Sequence, residues 1–251
     1  MIPLRASRMS DYYAERLAAE RLRRCYEVAP PRVQRYLRAE LDFALGFVRP
    51  GDAVLDLGCG YGRTLPELAA RAHSVTAVDN APASVALARE TVAGLANVEV
   101  LEMDAAALSF ADGSFDIVLC LQNGISAFHR EPATLLREAL RVCRPNTLGG
   151  VPLGGCQPSG TALFSTYAGR FWEHRLEWFR RQSEAGLLGE IDWERTKNGF
   201  IACKDGFTAT TFAPEQFLQL AAGLPAALTL TEVDGSSLFC ILKKASPPLS
   251  E

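Results

Sequence analysis

The chain has 251 residues with a formal net charge of −3; 48% of the residues are hydrophobic and 22% are charged. This composition excludes a disordered or collagen-like chain and is typical of a globular protein with a sizeable core. Because 26 Lys and Arg stand against 29 Asp and Glu, no overall field attracts nucleic acid or an anionic membrane.

The seven cysteines stand singly along the chain, and no two of them form a C-x-x-C pair. An odd number of scattered cysteines is typical of reduced thiols and disfavours a disulfide framework or a zinc site. The N-terminal segment is rich in charges and lacks the apolar run of a signal peptide or membrane anchor. We therefore predict a cytoplasmic protein that needs no metal.

Apolar side chains recur every three to five positions from residue 10 to about residue 48, which predicts two helices interrupted at Pro30-Pro31. After Pro50-Gly51, short apolar runs alternate with helical patterns. The expected strands begin with AVLDLG and continue at 74–78, 98–102, 115–121 and 162–165, and the expected helices lie at 64–71, 82–93 and 132–142. This alternation predicts right-handed βαβ units and a parallel sheet covered by helices on both faces.

The second half of the chain departs from this alternation. Residues 146–160 contain five glycines and two prolines and predict a long loop. An aromatic-rich helix follows, and then two strand-like runs joined by Asp205-Gly206, a dipeptide typical of type I′ turns, in which both central residues have positive φ. Further core elements are expected as a helix at 214–222 and strands at 227–233 and 238–243. The predicted organisation is a helical cover at 1–49, a core at 50–166 and 213–245, and an inserted substrate cap at 167–212.

The segment VLDLGCGYGRT places Asp56, Gly58, Gly60 and Gly62 at every second position after a hydrophobic strand. Glycines there let the strand-to-helix turn tighten and bring its backbone N–H groups close to a ligand. Dinucleotide-binding enzymes have G-x-G-x-x-G instead, and a carboxylate two residues before the first glycine would repel a pyrophosphate. The pattern therefore indicates a nucleotide-like ligand that carries an ammonium group.

Two further acids follow the next two predicted strands. Asp79 is placed to accept hydrogen bonds from a ribose diol, and Asp104 from an adenine amino group. Because the carboxyl ends of parallel strands meet at one edge of the sheet, both acids are expected to converge with Asp56. Ribose, adenine and an amino-acid ammonium group together describe S-adenosylmethionine.

The segments VLDLGCGYG, VTAVDNAPASVALARE, VEVLEMDAAALSFADGSFDIVLC and LREALRVCRP resemble the successive motifs of the class I S-adenosylmethionine-dependent methyltransferases. The resemblance covers about residues 50–145 and the C-terminal strands. It implies an α/β, Rossmann-like doubly wound sheet of seven strands in the order 3-2-1-4-5-7-6, with the last strand antiparallel.

The resemblance also assigns the cofactor-binding residues, with S-adenosylhomocysteine as the product. The turn after the first strand lies along the methionine part, the acids after the second and third strands contact ribose and adenine, and the segment after the fourth strand touches methionine and substrate. The positions that match are Asp56, Gly58, Cys59, Gly60, Tyr61, Gly62, Asp79, Asn80, Asp104, Ala105, Leu121, Gln122 and Asn123.

Candidates for catalysis and substrate binding come from the loop after the fourth strand, the cap and the N-terminal helices. His129 is a candidate general base or substrate-orienting residue, and a plain loop histidine is the alternative; Asn123 is the second catalytic candidate. The candidate substrate contacts are Tyr12, Tyr13, Trp172, His174 and Trp178, for which helix packing is the alternative.

These patterns predict an S-adenosylmethionine-dependent methyltransferase that acts on a small-molecule acceptor by in-line transfer, with no nucleic-acid or membrane partner. LQNG stands after the fourth strand in place of the N-P-P-Y-type tetrapeptide of nucleic-acid amino-methylating enzymes. A nicotinamide-dependent oxidoreductase and a non-catalytic S-adenosylmethionine-binding module are the alternatives. The sequence does not indicate the oligomeric state.

Overall fold

The computed structural model describes residues 12–145 and 160–245. The loop predicted at 146–160 lies outside these ranges except for Gly160, as do the first eleven residues of the predicted helical cover. The described helices are α1 (Tyr12–Arg16), α2 (Ala19–Glu27), α3 (Pro31–Leu45), α4 (Leu65–Ala69), α5 (Pro82–Thr91), α6 (Gly124–Ala127), α7 (Pro132–Val142), α8 (Trp172–Glu184) and α9 (Pro214–Ala221). The strands are β1 (Ala53–Leu57), β2 (Ser74–Asp79), β3 (Val98–Glu102), β4 (Ile117–Cys120), β5 (Thr161–Tyr167), β6 (Ile201–Ala202), β7 (Thr208–Ala209), β8 (Ala226–Val233) and β9 (Ser237–Lys244).

Seven of these strands form one sheet in the order β3-β2-β1-β4-β5-β9-β8. The first five pair in parallel, whereas β9 runs antiparallel to both β5 and β8. Numbered along the chain within this sheet, the order is 3-2-1-4-5-7-6, which confirms the predicted fold class. Because the strand order reverses between β1 and β4, a crevice opens at their carboxyl ends, where open α/β sheets bind ligands.

The sheet is buried because helices cover both faces. On one face the strands pack against α3, α4 and α5, through side chains such as Leu41, Leu68 and Val85. On the other face they pack against α7 and α9, through side chains such as Leu136 and Phe217. Because helices cover both faces, every residue of the central strands β4 and β5 is buried.

The described part of the N-terminal region, from residue 12 onward, contains three helices, whereas two were predicted. The chain turns at Ala19, which has a positive φ of 50°. Its backbone N–H donates to the Ser84 hydroxyl at 3.0 Å, so α5 anchors the break between α1 and α2. The periodicity shows an apolar face but not this tertiary contact, which is why the two helices looked continuous.

The predicted hairpin is present, but its predicted type I′ turn is wrong. Only Gly206 of the dipeptide has a positive φ, at 100°. The Asp205 carboxylate accepts hydrogen bonds from the Phe207 N–H at 3.3 Å and from the Tyr12 hydroxyl at 2.5 Å. These contacts hold a wider loop, which joins the two-residue strands β6 and β7.

The N-terminal helices and the region of the predicted cap share one apolar cluster. Tyr12, Leu17 and Cys25 pack with Phe179 of α8 and with Phe207 beside the hairpin. Both segments lie over the carboxyl ends of the strands, since they line the same cavity as the residues that follow β1 and β4. The boundary of an inserted cap at 167–212 stays a proposal.

The side chain of Asp116 connects the start of β4 to the start of β1, so replacing it tests how this part of the sheet is held together. Its buried carboxylate accepts the Ala53 N–H at 2.8 Å and pairs with the guanidinium of Arg144 at 2.6 Å. Replacing it in Asp116→Ala leaves a buried N–H unpaired, so we expect the free energy of unfolding in urea to fall by about 2 kcal/mol. Asp112→Ala is the control, because that side chain is 78% exposed and its pair with Arg141 contributes little. Equal losses in the two variants would contradict this role.

Candidate functional site

The turn after β1 requires glycine at alternate positions. Gly58, Gly60 and Gly62 have φ values of 74°, 54° and 85°, a region that side chains with a Cβ rarely adopt. The N–H groups of Gly58 and Cys59 both donate to the carbonyl of Val78, at 2.8 and 3.0 Å. A Cβ added at Gly58 would lie 2.9 Å from the ring of Phe128. Conformation and space therefore both demand glycine where the chain leaves the sheet.

Asp79, the last residue of β2, holds this turn from the neighbouring strand. One carboxylate oxygen accepts the Gly60 N–H at 2.9 Å, and the other accepts the Ala81 N–H at 2.9 Å. Asp79 and Asn80 line the same cavity as Gly58 and Gly60. The acid thus fixes the backbone of the turn while facing the space that the turn encloses.

Asp56 is a buried acid within β1. Burial raises its pKa to about 6, and the hydrogen bond from the Thr64 hydroxyl at 3.0 Å opposes this rise. Asp56 lines a second cavity together with Arg63 and Thr64. A carboxylate of this kind gains by accepting a hydrogen bond from a cationic group, because the cation compensates the charge that burial penalises.

Two cavities, of about 110 and 60 Å³, flank the glycine turn. Leu22 and Tyr26 of α2 line both of them, as do Gly58 and Gly60. The first cavity contains Asp79, and the second contains Asp56. Helix α2 therefore lies across a continuous crevice and divides it into two parts.

The segment after β4 turns sharply into the same crevice. Gln122 and Asn123 have positive φ values of 57° and 59°. Gln122 lines both cavities, its side-chain oxygen accepts the Tyr26 hydroxyl at 3.2 Å, and its Nε2 is buried with no partner among the described residues. Because buried donors in native proteins are almost always satisfied, this amide is available to a ligand acceptor.

Glu40 of α3 supports this segment and was not predicted from the sequence. Its fully buried carboxylate accepts hydrogen bonds from the Gln122 N–H at 3.3 Å, the Ser165 hydroxyl at 2.7 Å and the Tyr36 hydroxyl at 3.2 Å. Burial raises its pKa, and these donors oppose the rise. A glutamate among Tyr36, Leu37 and Leu41 on the apolar face of α3 is the sequence signal that could have indicated it.

Asn123 uses both ends of its side-chain amide within the protein. Nδ2 donates to the Thr210 carbonyl at 2.9 Å, and Oδ1 accepts the Thr166 hydroxyl at 2.7 Å. Asn123 lines the Asp79 cavity, but its amide joins the end of β5 to the chain returning from the hairpin. Both ends of the amide are thus engaged within the protein, and a catalytic role of Asn123 stays a prediction.

The residues predicted to contact adenine follow β3, beside the end of β2, where the Met103 N–H donates to the Asp79 carbonyl at 3.0 Å. The Asp104 carboxylate pairs with the guanidinium of Arg130 at 2.7 Å and accepts the Ala106 N–H at 2.9 Å. Burial opposes these contacts, but they outweigh it and lower the pKa of Asp104. Ala105 is buried in the core, and neither residue is among those lining the two cavities beside the turn.

The other predicted cofactor residues are distributed around the turn as follows. Leu121 lines both cavities, Cys59 and Tyr61 line the Asp56 cavity, and Gly62 packs against Ala88 of α5. Burial raises the pKa of the Cys59 and Cys120 thiols, so both are packing groups rather than nucleophiles.

His129 is not brought into the crevice. It lines a separate cavity with Ile125 and Thr208, and its ring lies 6.2 Å from the ring of Tyr13. Tyr13 itself lines the Asp79 cavity, and burial raises the pKa of its phenol, which therefore stays protonated. Tyr13, and not His129, lines the cavity beside the glycine turn.

The other four predicted substrate contacts are placed in different surroundings. Trp178 lines the Asp79 cavity and donates its indole N–H to the Cys25 carbonyl at 2.8 Å. Tyr12 is buried against Phe207, and His174 is exposed. Trp172 lines another cavity, between α8, the carboxyl end of β5 and the start of α9.

Residues 12–145 and 160–245 contain no cluster of three His, Cys, Asp or Glu side chains that could hold a metal ion. In the same two ranges, no helix combines the length and the apolar character that crossing a bilayer requires.

Known proteins are similar to this chain in sequence and in fold. Residues 54–146 match the family described as "Methyltransferase domain". The chain is 33% identical over 131 residues to a 2-methyl-6-phytyl-1,4-hydroquinone methyltransferase from Synechocystis, a match that covers 49% of this chain and 40% of the relative. The chain thus spans less than half the length of the curated relatives it matches.

Solved structures share the fold at low sequence identity. A S-adenosylmethionine-dependent methyltransferase from Methanosarcina mazei superposes with a TM-score of 0.56 at 20% identity, covering 80% of this chain and 96% of the other. A 1,6-didemethyltoxoflavin-N1-methyltransferase from Burkholderia thailandensis, crystallised with 1,6-didemethyltoxoflavin and S-adenosylhomocysteine, gives 0.53 at 18% identity, covering 83% and 79%. The match to the methyltransferase domain covers residues 54–146, and these solved structures share the fold of the chain.

The glycine turn yields a prediction with a matched control. Gly94 also has a positive φ, of 92°, but a Cβ there would meet nothing within 4 Å. Gly94→Ala should therefore lower the free energy of unfolding by about 1 kcal/mol, the cost of backbone strain alone. Gly58→Ala adds the clash with Phe128 and should cost at least about 2 kcal/mol, as measured by urea denaturation. Equal costs would show that Phe128 does not restrict the turn.

Proposed function

We propose that the protein transfers a methyl group from S-adenosylmethionine to a small-molecule acceptor. The observation that carries this proposal is the glycine turn clamped by Asp79, with the Asp56 cavity on one side and an aromatic-walled cavity on the other. The names of the hydroquinone and toxoflavin methyltransferases, both with small ring compounds as acceptors, support the acceptor class.

The chain offers a chemically suitable partner for most parts of this cofactor. Asp79 and Asn80 would accept hydrogen bonds from the ribose hydroxyls. Asp56 would accept one from the amino group, and Arg63 in the same cavity would pair with the carboxylate. The unpaired Nε2 of Gln122 would donate to the methionine part. Binding of adenine by Asp104 remains a prediction that requires Arg130 to share its carboxylate.

Helix α2 has to move to admit this cofactor. The two cavities beside the turn are far smaller than the roughly 300–1,000 Å³ that ligands of this size occupy. Leu22 and Tyr26, which divide them, belong to the short helix α2. This helix is held by side-chain packing and by a few hydrogen bonds, such as those from the Tyr26 hydroxyl to Gln122 and from the Trp178 indole N–H to the Cys25 carbonyl. We propose that α1 and α2 form a cover that lifts for entry and closes afterwards.

When bound, the cofactor supplies a sulfonium methyl group that is already activated. The chain then needs to align the acceptor and exclude water, which the apolar wall of Trp178, Phe179 and Phe207 can do. Burial raises the pKa of Tyr13 and Tyr167 in this cavity, so their phenols can donate hydrogen bonds to an acceptor. The proposal that His129 acts as a base requires it to reach in from the adjacent cavity.

We also propose a cytoplasmic location and the lack of a nucleic-acid partner, on the basis of the composition and the cysteine pattern. A protein that binds the cofactor without turnover would differ only in failing to methylate any acceptor of a broad panel.

Removing Asp79 tests the proposed function directly. Asp79→Ala deletes the ribose acceptor and the clamp on Gly60, so calorimetry should show S-adenosylhomocysteine binding weakened at least about 100-fold. Asp112→Ala, exposed and distant from the turn, should bind as the wild type does. Unchanged affinity in Asp79→Ala would remove the ribose assignment.

The raised pKa of Asp56 predicts that cofactor binding depends on pH. Because its pKa is about 6, the carboxylate is mostly protonated at pH 5 and mostly ionised above pH 7. The affinity for S-adenosylhomocysteine should therefore rise about tenfold from pH 5 to pH 7.5. 5′-Methylthioadenosine, which lacks the amino group, should show no such rise, and neither should the Asp56→Asn variant with either ligand. A rise for both ligands in the wild type would rule out this pairing.

A further inference from the structure

Arg175 is a buried cation on the apolar face of α8. Its side chain is fully buried, and its guanidinium lies 4.7 Å from the ring centre of Tyr167 and 5.4 Å from that of Phe179. Charged side chains are almost never buried to this extent unless they are paired. Arg175 therefore requires an explanation beyond packing.

The guanidinium is only partly satisfied. Nη1 donates to the Gly199 carbonyl at 2.6 Å, whereas Nε and Nη2 are buried without a hydrogen-bond partner. Within residues 12–145 and 160–245, no carboxylate pairs with Arg175. Glu232 lines the same cavity as Arg175 and Trp172, but its carboxylate pairs with Arg170 at 2.8 Å. Two donors and one positive charge are thus left without a counterpart.

The two unpaired groups form one edge of the guanidinium. Nε–H and the adjacent Nη2–H point in parallel, and this edge matches the two oxygens of a carboxylate. Aromatic rings contact the face of the guanidinium and the Gly199 carbonyl accepts from Nη1, so the free edge is held in orientation. A site of this kind selects a planar anion rather than a point charge.

Arg175 is one of the residues that line a cavity large enough for a small molecule. The cavity measures about 480 Å³ and is lined by Arg175 together with Tyr167, Trp172, Asn198, Thr211 and Gln216. Its size falls in the usual range for small-molecule sites, and its lining combines aromatic walls with a few polar groups. Tyr167 also lines the cavity beside the glycine turn, so the two spaces are neighbours.

We propose that Arg175 binds a carboxylate of the methyl acceptor, whose body lies along Tyr167 and Trp172. This inference rests on the proposed function and adds a substrate class to it: acceptors that carry a carboxylate on an apolar, ring-containing frame. The carboxylate at Arg175 anchors one end of the acceptor, and the part that is methylated extends past Tyr167 to the glycine turn.

The test uses benzoate and phenylacetate as carboxylate probes and benzamide and phenylacetamide as neutral controls. Calorimetry is done on the full chain in the presence of saturating S-adenosylhomocysteine. The wild type should bind at least one carboxylate about tenfold or more tightly than its amide, and Arg175→Met should lose this preference. Arg180→Met, on the exposed side of the same helix, should keep it.

A structural role for Arg175 would give a different result in a second measurement. Because its charge is buried and unpaired, Arg175→Met should melt at the same temperature as the wild type or higher. A large fall in melting temperature would mean that the cation serves folding and would overturn the proposal. The conservative variant Arg175→Lys keeps the charge but not the bidentate edge, so it should bind the carboxylate more weakly than the wild type.

Three outcomes would contradict the carboxylate site: no measurable binding of either carboxylate by the wild type, equal binding of acids and amides, or inorganic phosphate binding as tightly as benzoate. Failure of the proposed function is a separate observation. In that case the wild type would not bind S-adenosylhomocysteine, while the probes could still distinguish Arg175→Met from Arg180→Met.

Discussion

The hydrogen bond from the Gly60 N–H to the Asp79 carboxylate is the contact on which the crevice depends. It ties the turn after β1 to the end of β2 and so keeps the three left-handed glycines at alternate positions of the turn in one conformation. The parallel register of β1 and β2 places the acid opposite the turn. With this contact in place, the space between the strand ends and α2 acquires fixed walls and a fixed acid.

Several ionisable side chains are buried in and around the crevice, and burial of their charged forms does not stabilise the folded chain. Burial raises the pKa of Asp56 and Glu40 and lowers that of Arg175, which means that each charged form is disfavoured in the folded chain. For Asp56 the free energy of unfolding falls as the pH rises from about 4 to about 6, because the unfolded chain releases its proton first. Such groups are expected where a ligand supplies the missing partner.

The sequence was most informative where periodicity and local turn chemistry decide the structure. Helix α7 and strand β3 begin and end where their patterns predict. For β3 the reason is that a short apolar run between helices has few alternatives in a parallel sheet. Glu40 and Arg175 were missed since each is a charged residue on an apolar helix face, and only the packing of α3 and α8 shows what surrounds it. The placement of His129 depends on positive φ values at Gln122, Asn123 and His129 itself, which no residue pattern indicated.

The most direct measurement is a crystal structure of the protein grown with S-adenosylhomocysteine. We expect the ligand in the crevice between β1 and β4, with its ribose hydroxyls hydrogen-bonded to Asp79, its amino group at Asp56, and α2 displaced from the glycine turn. An empty crevice at saturating ligand, or a ligand whose ribose faces away from Asp79, would contradict the proposal that this turn and its acids bind the cofactor.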